Sequence, residues 1–304
     1  SASRSEIATK FVGAMTHDNS PKWRTQFTPW KSAGNRTETG GTADEVVRQT
    51  GWVFNNETGS DLTLADFVRT GDEEVRRYMN QFGFGPESLA NKTLLEIGSG
   101  IGRMTSAFTK QCFAVVAADV DAAFLERCHE TVGKHGDVSK LRTSHVADGS
   151  TLQLPNNCVD IVFSYITLQH CEKNDALSLT SEAMRVTRTG GTLLLNYRTW
   201  VRADAGLLPL GIAMRRLWRI PVIGKRLAVT RWSTRLGWQA NRLSPDQVLT
   251  HISAHAPSGK RITNVVVHHS AKTTRTVKTL GVTVKPMKRV NKSHWWLTAT
   301  VEGV

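Results

Sequence analysis

Residues 94–105 read LLEIGSGIGRMT: an apolar run carrying one acid, then Gly98, Gly100 and Gly102 two apart, then the start of a helical stretch. Glycines at that place let the backbone turn sharply and let a ligand approach the N-terminus of the following helix closely. The spacing excludes two familiar nucleotide loops. A dinucleotide GxGxxG would need glycine where Arg103 stands, and no GxxxxGKS occurs in the chain.

Outward from that loop, short apolar runs alternate with helical ones between Lys92 and Arg198. The pattern predicts strands near 93–97, 113–118, 141–146, 159–164 and 191–197, with helices near 102–111, 121–134 and 175–187. Such alternation makes parallel βαβ units, whose ligand site lies at the carboxyl ends of the strands. The residues after each strand therefore matter most. The second strand ends VVAADVD, which puts Asp119 where a carboxylate could accept two hydroxyl hydrogen bonds from a ribose. The third ends HVADGS, with Asp148 at the rim and placed to accept from an adenine amino group. The fourth, VDIVFSYITLQH, runs into the site.

Glu96 to Gly102, Asp119, Asp148 and the VDIVFSYITLQH segment together resemble the class I S-adenosylmethionine-dependent methyltransferase family, over about residues 92–198. The resemblance implies a Rossmann-like, doubly wound α/β fold with a mostly parallel sheet of seven strands. It implies S-adenosylmethionine as cofactor and S-adenosylhomocysteine as product. The glycine loop would face the methionine moiety, Asp119 the ribose, Val120 the adenine face, and Asp148 with Gly149 the adenine edge. Glu96 would support the loop through backbone amides, and Ser99, Arg103, Ser164 and Gln169 would complete the cofactor set. Ser99 stands where cysteine is common in the family, and Asp121 where serine is frequent. Neither change removes a needed group.

Methyl transfer from a sulfonium is an in-line displacement, so the protein mainly aligns the nucleophile, and a base is needed only where the acceptor must lose a proton. His170, just past the fourth strand, is the candidate base, with a structural cap on the loop as the alternative. Tyr165 is the second catalytic candidate and Gln169 its pocket neighbour. Arg103 could also take an acidic substrate group, or stand as an exposed arginine in the first turn of the helix. The amino-methylation loop of DNA enzymes, Asn or Asp followed by Pro, Pro and an aromatic, is replaced by Ser164, Tyr165, Ile166 and Thr167. No Pro-Cys marks a cytosine C5 nucleophile. No metal cluster is expected, because adjacent His268 and His269 on a strand face opposite ways.

The flanks are read by pattern and charge. Residues 1–60 are rich in Ser, Thr, Gly and Asn and are expected to form a partly mobile arm. Residues 61–91 should form a helical cap, with one or two amphipathic helices broken near Gly71. After the 92–198 core, residues 199–243 carry Trp and Arg among apolar residues and should form a helical lid insertion after the fifth strand. Residues 244–304 should supply a helix starting at Ser244, Pro245 and Asp246, and two last strands near 261–268 and 294–301. The net charge of +13 is uneven: residues 1–198 hold 21 basic and 23 acidic side chains, residues 199–304 hold 18 and 3.

That basic third supports three readings, phosphate contacts with interleaved Trp on nucleic acid, an element lying on an anionic membrane, or a substrate lid, with a solvated basic face that keeps its Trp in the core as the alternative. The expected partner is a small-molecule or glycolipid acceptor methylated on oxygen, such as a sugar, glycolipid or secondary metabolite. An RNA or DNA methyltransferase and a non-catalytic cofactor-binding protein are the alternatives. The longest apolar run, near Ala205–Met214, is too short to span a bilayer, no apolar signal core opens the sequence, and the four cysteines lack any CxxC spacing. These features favour a cytoplasmic protein, with peripheral contact on the inner face of the membrane if the insertion is interfacial.

Overall fold

The computed structural model describes residues 42–47, 63–228, 230–237, 241–270, 282–288 and 293–304. Most of the arm expected over 1–60 lies outside these residues. Within it, residues 43–47 are helical, and Ala43, Val46 and Val47 pack with Leu64, Phe67, Val68, Ile101 and Phe124.

Helix α1 (Leu64–Gln81) is capped by Thr63, whose hydroxyl accepts from the Asp66 amide, and buries Leu64, Phe67, Val68, Val75, Tyr78 and Met79 along one face. It runs unbroken through Gly71, where the sequence suggested an interruption. The glycine serves contact instead of a break: a Cβ at position 71 would overlap the Arg103 carbonyl oxygen, so the bare backbone lets α1 lie directly on the glycine loop. A one-turn helix, Pro86–Leu89, leads into β1 (Thr93–Ile97).

The units α2 (Thr105–Gln111), β2 (Ala114–Asp119), α3 (Ala122–His135), β3 (Leu141–His145), β4 (Val159–Ser164), α4 (Lys173–Val186) and β5 (Thr187–Arg198) follow in turn. Three short helices, α5 (Asp204–Leu217), α6 (Ile223–Ala228) and α7 (Arg231–Gly237), form the insertion. Then come α8 (Pro245–His255), β6 (Lys260–Ser270), β7 (Thr283–Met287) and β8 (His294–Gly303). Ser244 and Gln247 close a reciprocal capping box at the start of α8.

Among the described residues the sheet has eight strands, not the seven expected, in the order β3-β2-β1-β4-β5-β8-β6-β7. Strands β1 to β5 pair in parallel, β8 runs antiparallel to both β5 and β6, and β7 pairs in parallel with β6. The additional strand is β7, TVKPM, which carries Pro286 and Lys285 and lies on the sheet edge, where a missing backbone donor is tolerated. Strand β5 is also longer than its apolar run, with a register shift opposite Val159 and Ile161.

One core lies between the sheet and helices α4 and α8, through Leu95, Val162, Leu195, Tyr197 and Trp295 against Leu179, Ala183, Leu249 and Ile252. The other face packs Leu94, Phe163, Leu194 and Trp296 against Val75, Tyr78, Met79 and Phe108 of α1 and α2. Trp295 and Trp296, adjacent on β8, thus anchor opposite faces. Lys260, the first residue of β6, donates to the carbonyls of Met184, Arg185 and Thr187 at the C-terminal end of α4. All four cysteines are free thiols, and no His/Cys/Asp/Glu group able to hold a metal occurs among the described residues.

Candidate functional site

The loop after β1 turns through three left-handed glycines, Gly98 (φ 81°), Gly100 (φ 54°) and Gly102 (φ 90°), a conformation that costs other residues roughly 1–2 kcal/mol each. Gly98 and Ser99 donate their amides to the Ala118 carbonyl at 2.7 and 3.1 Å, which ties the loop to the end of β2. There the Asp119 carboxylate accepts from the Gly100 amide through Oδ2 at 2.8 Å and from the Asp121 amide through Oδ1 at 3.0 Å. Burial pushes its carboxyl up to about 6, with the two amides opposing the shift. An ionised carboxylate offers about four lone-pair sites, so each oxygen keeps acceptor capacity for a hydroxyl pair.

Glu96, on β1 below the loop, does not receive the backbone amides the sequence reading assigned to it. It accepts the Thr105 hydroxyl at 2.7 Å, and burial pushes its carboxyl up to about 8. At neutral pH the two neighbouring acids therefore separate into a protonated Glu96 and a charged Asp119.

Past β2, Val120 is 49 % exposed although large and apolar, and its carbonyl lies 3.2 Å from His145 Nε2. Past β3, the Asp148 carboxylate accepts the Ser150 and Thr151 amides, both at 2.8 Å, in a turn that Gly149 closes with φ 75°. Those bonds hold its carboxyl below the ordinary range in spite of partial burial, so Asp148 stands charged at the rim.

Past β4 the chain passes through Ile166 with φ 54°, a strained conformation for a β-branched residue. Buried Asn196 of β5 steadies it by accepting the Ile166 amide at 3.3 Å while donating to the Trp295 carbonyl at 3.1 Å. Thr167 fills the space over Gly98 that a Cβ there would occupy. The turn Leu168–His170 follows, with Gln169 Nε2 3.0 Å from His170 Nε2. The insertion returns to this turn: Asn241 donates its side-chain amide to the carbonyls of Leu168 and Cys171 at 2.6 and 3.0 Å, and its backbone amide to the Gln169 carbonyl. The amide oxygens of Gln169 and Asn241 are both buried without a partner, an arrangement that suits an incoming donor.

Three expected site residues have other duties. The Ser164 hydroxyl donates to the Ile97 carbonyl at 3.0 Å and joins the ends of β4 and β1. Arg103 pairs with Glu74 of α1 at 2.7 Å, lies over the Phe67 ring and reaches Thr70 Oγ1, so it docks α1 and does not reach outward as an exposed arginine would. Tyr165 stacks on Trp296 at 5.5 Å and 4°, with Tyr78 at 4.9 Å; burial raises its phenol well above the ordinary range, which disfavours it as a base. Asn241, Asn196 and Thr167 were not singled out from the sequence. Of these, Asn196 carried a signal, as a polar residue inside the apolar run LLLNY of β5.

Residues 95–195 match the family described as methyltransferase domain. A phosphoethanolamine N-methyltransferase of Triticum aestivum is 29 % identical over 156 residues, half of this chain and 30 % of that protein. An uncharacterised methyltransferase of Mycobacterium ulcerans is 32 % identical over 122 residues, 40 % of this chain and 44 % of that protein. The chain thus spans less than half the length of these curated relatives. Among solved structures, phosphoethanolamine N-methyltransferase 1 of Haemonchus contortus, determined with phosphoethanolamine and S-adenosylhomocysteine, superposes with a TM-score of 0.51 at 16 % identity, covering 90 % of this chain and 48 % of that one. That likeness is one of fold. The matched region runs from β1, the strand before the glycine loop, into β5, so the part of the chain that carries the site is similar to the methyltransferase-domain family.

Proposed function

We propose that the chain binds S-adenosylmethionine at the carboxyl edge of β1, β2 and β4 and transfers its methyl group to the hydroxyl of a small molecule. The observation that carries this reading is Asp119, a buried carboxylate steadied by two loop amides yet keeping acceptor capacity beside three left-handed glycines. Asp119 would hold the ribose hydroxyls and Val120 the adenine face. Asp148 and Gly149 would hold the adenine edge, and the buried oxygens of Gln169 and Asn241 would take donors of the methionine moiety or of the acceptor. When bound, the cofactor supplies an electrophilic sulfonium methyl. His170 takes the hydroxyl proton on Nε2 as the oxygen attacks, once the Gln169 side-chain amide, whose nitrogen lies 3.0 Å from that atom, has moved off its lone pair. The α5–α7 insertion, tied to the β4 turn through Asn241, closes the mouth of the site and shapes the acceptor pocket.

A second reading is methylation of an amine, favoured by the name of the wheat relative. Calorimetric titration with S-adenosylmethionine and S-adenosylhomocysteine, with NAD as control, tests the cofactor. Selective binding weakened at least tenfold, about 1.4 kcal/mol, by Asp119→Ala is expected; equal binding by native and variant protein would sink it. An acceptor screen of hydroxylated sugars, glycolipids and polyphenols beside phosphoethanolamine and RNA then decides the atom. Methylation of RNA or phosphoethanolamine alone would overturn the O-methylation reading.

A further inference from the structure

We propose that the outer face of the α5–α7 insertion seats the protein on an anionic lipid surface. Thirteen large apolar side chains are conspicuously exposed among the described residues, and eight of them lie between 207 and 232. Leu207, Leu210 and Leu217, three and seven apart, share one flank of α5. Ile220 and Val222 continue the apolar surface through the turn, and Trp232 opens α7 at 58 % exposure. Such a concentration is foreign to an ordinary solvated surface.

The charge around it has one sign. Residues 205–237 contain seven basic side chains and no acidic one, and Arg216, Arg219 and Arg226 are exposed beside the apolar residues. The acid that opens α5, Asp204, is fully buried between Arg198 and Arg242 at 2.7 Å from each, so it contributes no negative charge to that face. Apolar side chains flanked by uncompensated arginine, with a tryptophan among them, have the chemistry of an element that inserts shallowly among anionic headgroups. A nucleic acid would match the arginines but leave the leucine and isoleucine side chains in water. No helix of the described residues is long and apolar enough to cross a bilayer, so the contact is peripheral.

The geometry also favours a seat over a core. The interior of the insertion is closed without these residues: Trp218 donates Nε1 to Ser233 Oγ at 2.7 Å, and Gly224 and Gly237 give the space its backbone and ring require. Changing the exposed apolar residues therefore leaves that packing in place. This inference stands apart from methyl transfer, and vesicle binding is read without cofactor.

The test is co-sedimentation of the full chain with vesicles of phosphatidylcholine alone or with about a third phosphatidylglycerol, at low and physiological salt. A double variant Leu210→Glu/Ile220→Glu, a separate variant Trp232→Ala, and competition by polyuridylate RNA accompany it, with thermal midpoints confirming folding. Binding to the anionic vesicles at least tenfold tighter than to the neutral ones, lost at least tenfold in the double variant, weakened in Trp232→Ala and insensitive to RNA, is expected. Absence of anionic-vesicle binding, equal binding by the double variant, or displacement by RNA at comparable concentration would each overturn the proposal. S-adenosylmethionine affinity, measured on the same variants, should stay unchanged, so failure here and failure of the methyltransferase reading are told apart.

Discussion

Burial raises both Glu96 and Asp119, and Glu96 further, with the Asp119 charge adding to its rise, and the difference has a pH signature. An acid whose folded pKa lies above its unfolded one is more protonated in the folded chain, so unfolding releases a proton in the window between the two values. For Glu96 that window runs from 4.5 to about 8. Stability from this group is present at the acid end, falls as pH rises and is lost above about 8. Glu96→Gln keeps an acceptor for the Thr105 hydroxyl and removes the titration. The difference in thermal midpoint, variant minus native, is expected to rise by at least about 3 °C between pH 5 and pH 8; a constant difference would mean that Glu96 stays ionised in the fold. His170 is tested by rate: with a hydroxyl acceptor, His170→Ala should lower kcat by about 10²–10⁴ and leave S-adenosylmethionine affinity within twofold. A variant with native kcat would return His170 to a structural role in the turn.

At the scale of elements, two contacts set how the site is framed. Gly71 lets α1 touch the glycine loop, so Gly71→Val should cost about 1–3 kcal/mol by overpacking, in spite of any gain in helix propensity, and should weaken cofactor binding through the displaced Arg103 backbone. Calorimetry and thermal melts of the variant check both effects. Lys260 caps the orphan carbonyls at the end of α4, and Lys260→Ala should lower stability by about 1–3 kcal/mol while sparing cofactor affinity, read by urea denaturation and calorimetry. The elements differ in how legible they are. β1, β2, β4 and β5 carry continuous apolar runs, and Asp119 follows from where the second of them stops, whereas Asp148 lies past β3, whose sequence LRTSH is mostly polar. β7 could not be read that way, because an edge strand with Pro286 and Lys285 has no apolar period to show. The role of Asn241 was hidden for another reason: it acts on backbone carbonyls some seventy residues away, and sequence spacing says nothing about which carbonyls a fold will bring near.

The molecule as a whole is one continuous sheet with a loosely packed appendage. Strands β1, β2, β4, β5 and β8 lie inside the two cores, with both β8 tryptophans fully buried. The insertion is closed around Trp218, Met214 and Ser233, and leaves much of its apolar surface outside. Burial of apolar area is the main favourable term in folding, so the free energy of local opening should follow this division. Native-state hydrogen exchange is expected to show amides of α5 to α7 exchanging at least about a hundredfold faster than those of β4 and β5, a gap of roughly 2.7 kcal/mol in opening free energy. Addition of S-adenosylhomocysteine should slow residues 98–102 and 167–171, because the glycine loop and the β4 turn are steadied together through Thr167 and Gly98. The insertion should be slowed only near Asn241, the point where it is bonded to that turn. Uniform protection across α5 to α7 on ligand binding would instead mean that the insertion and the sheet open as one unit.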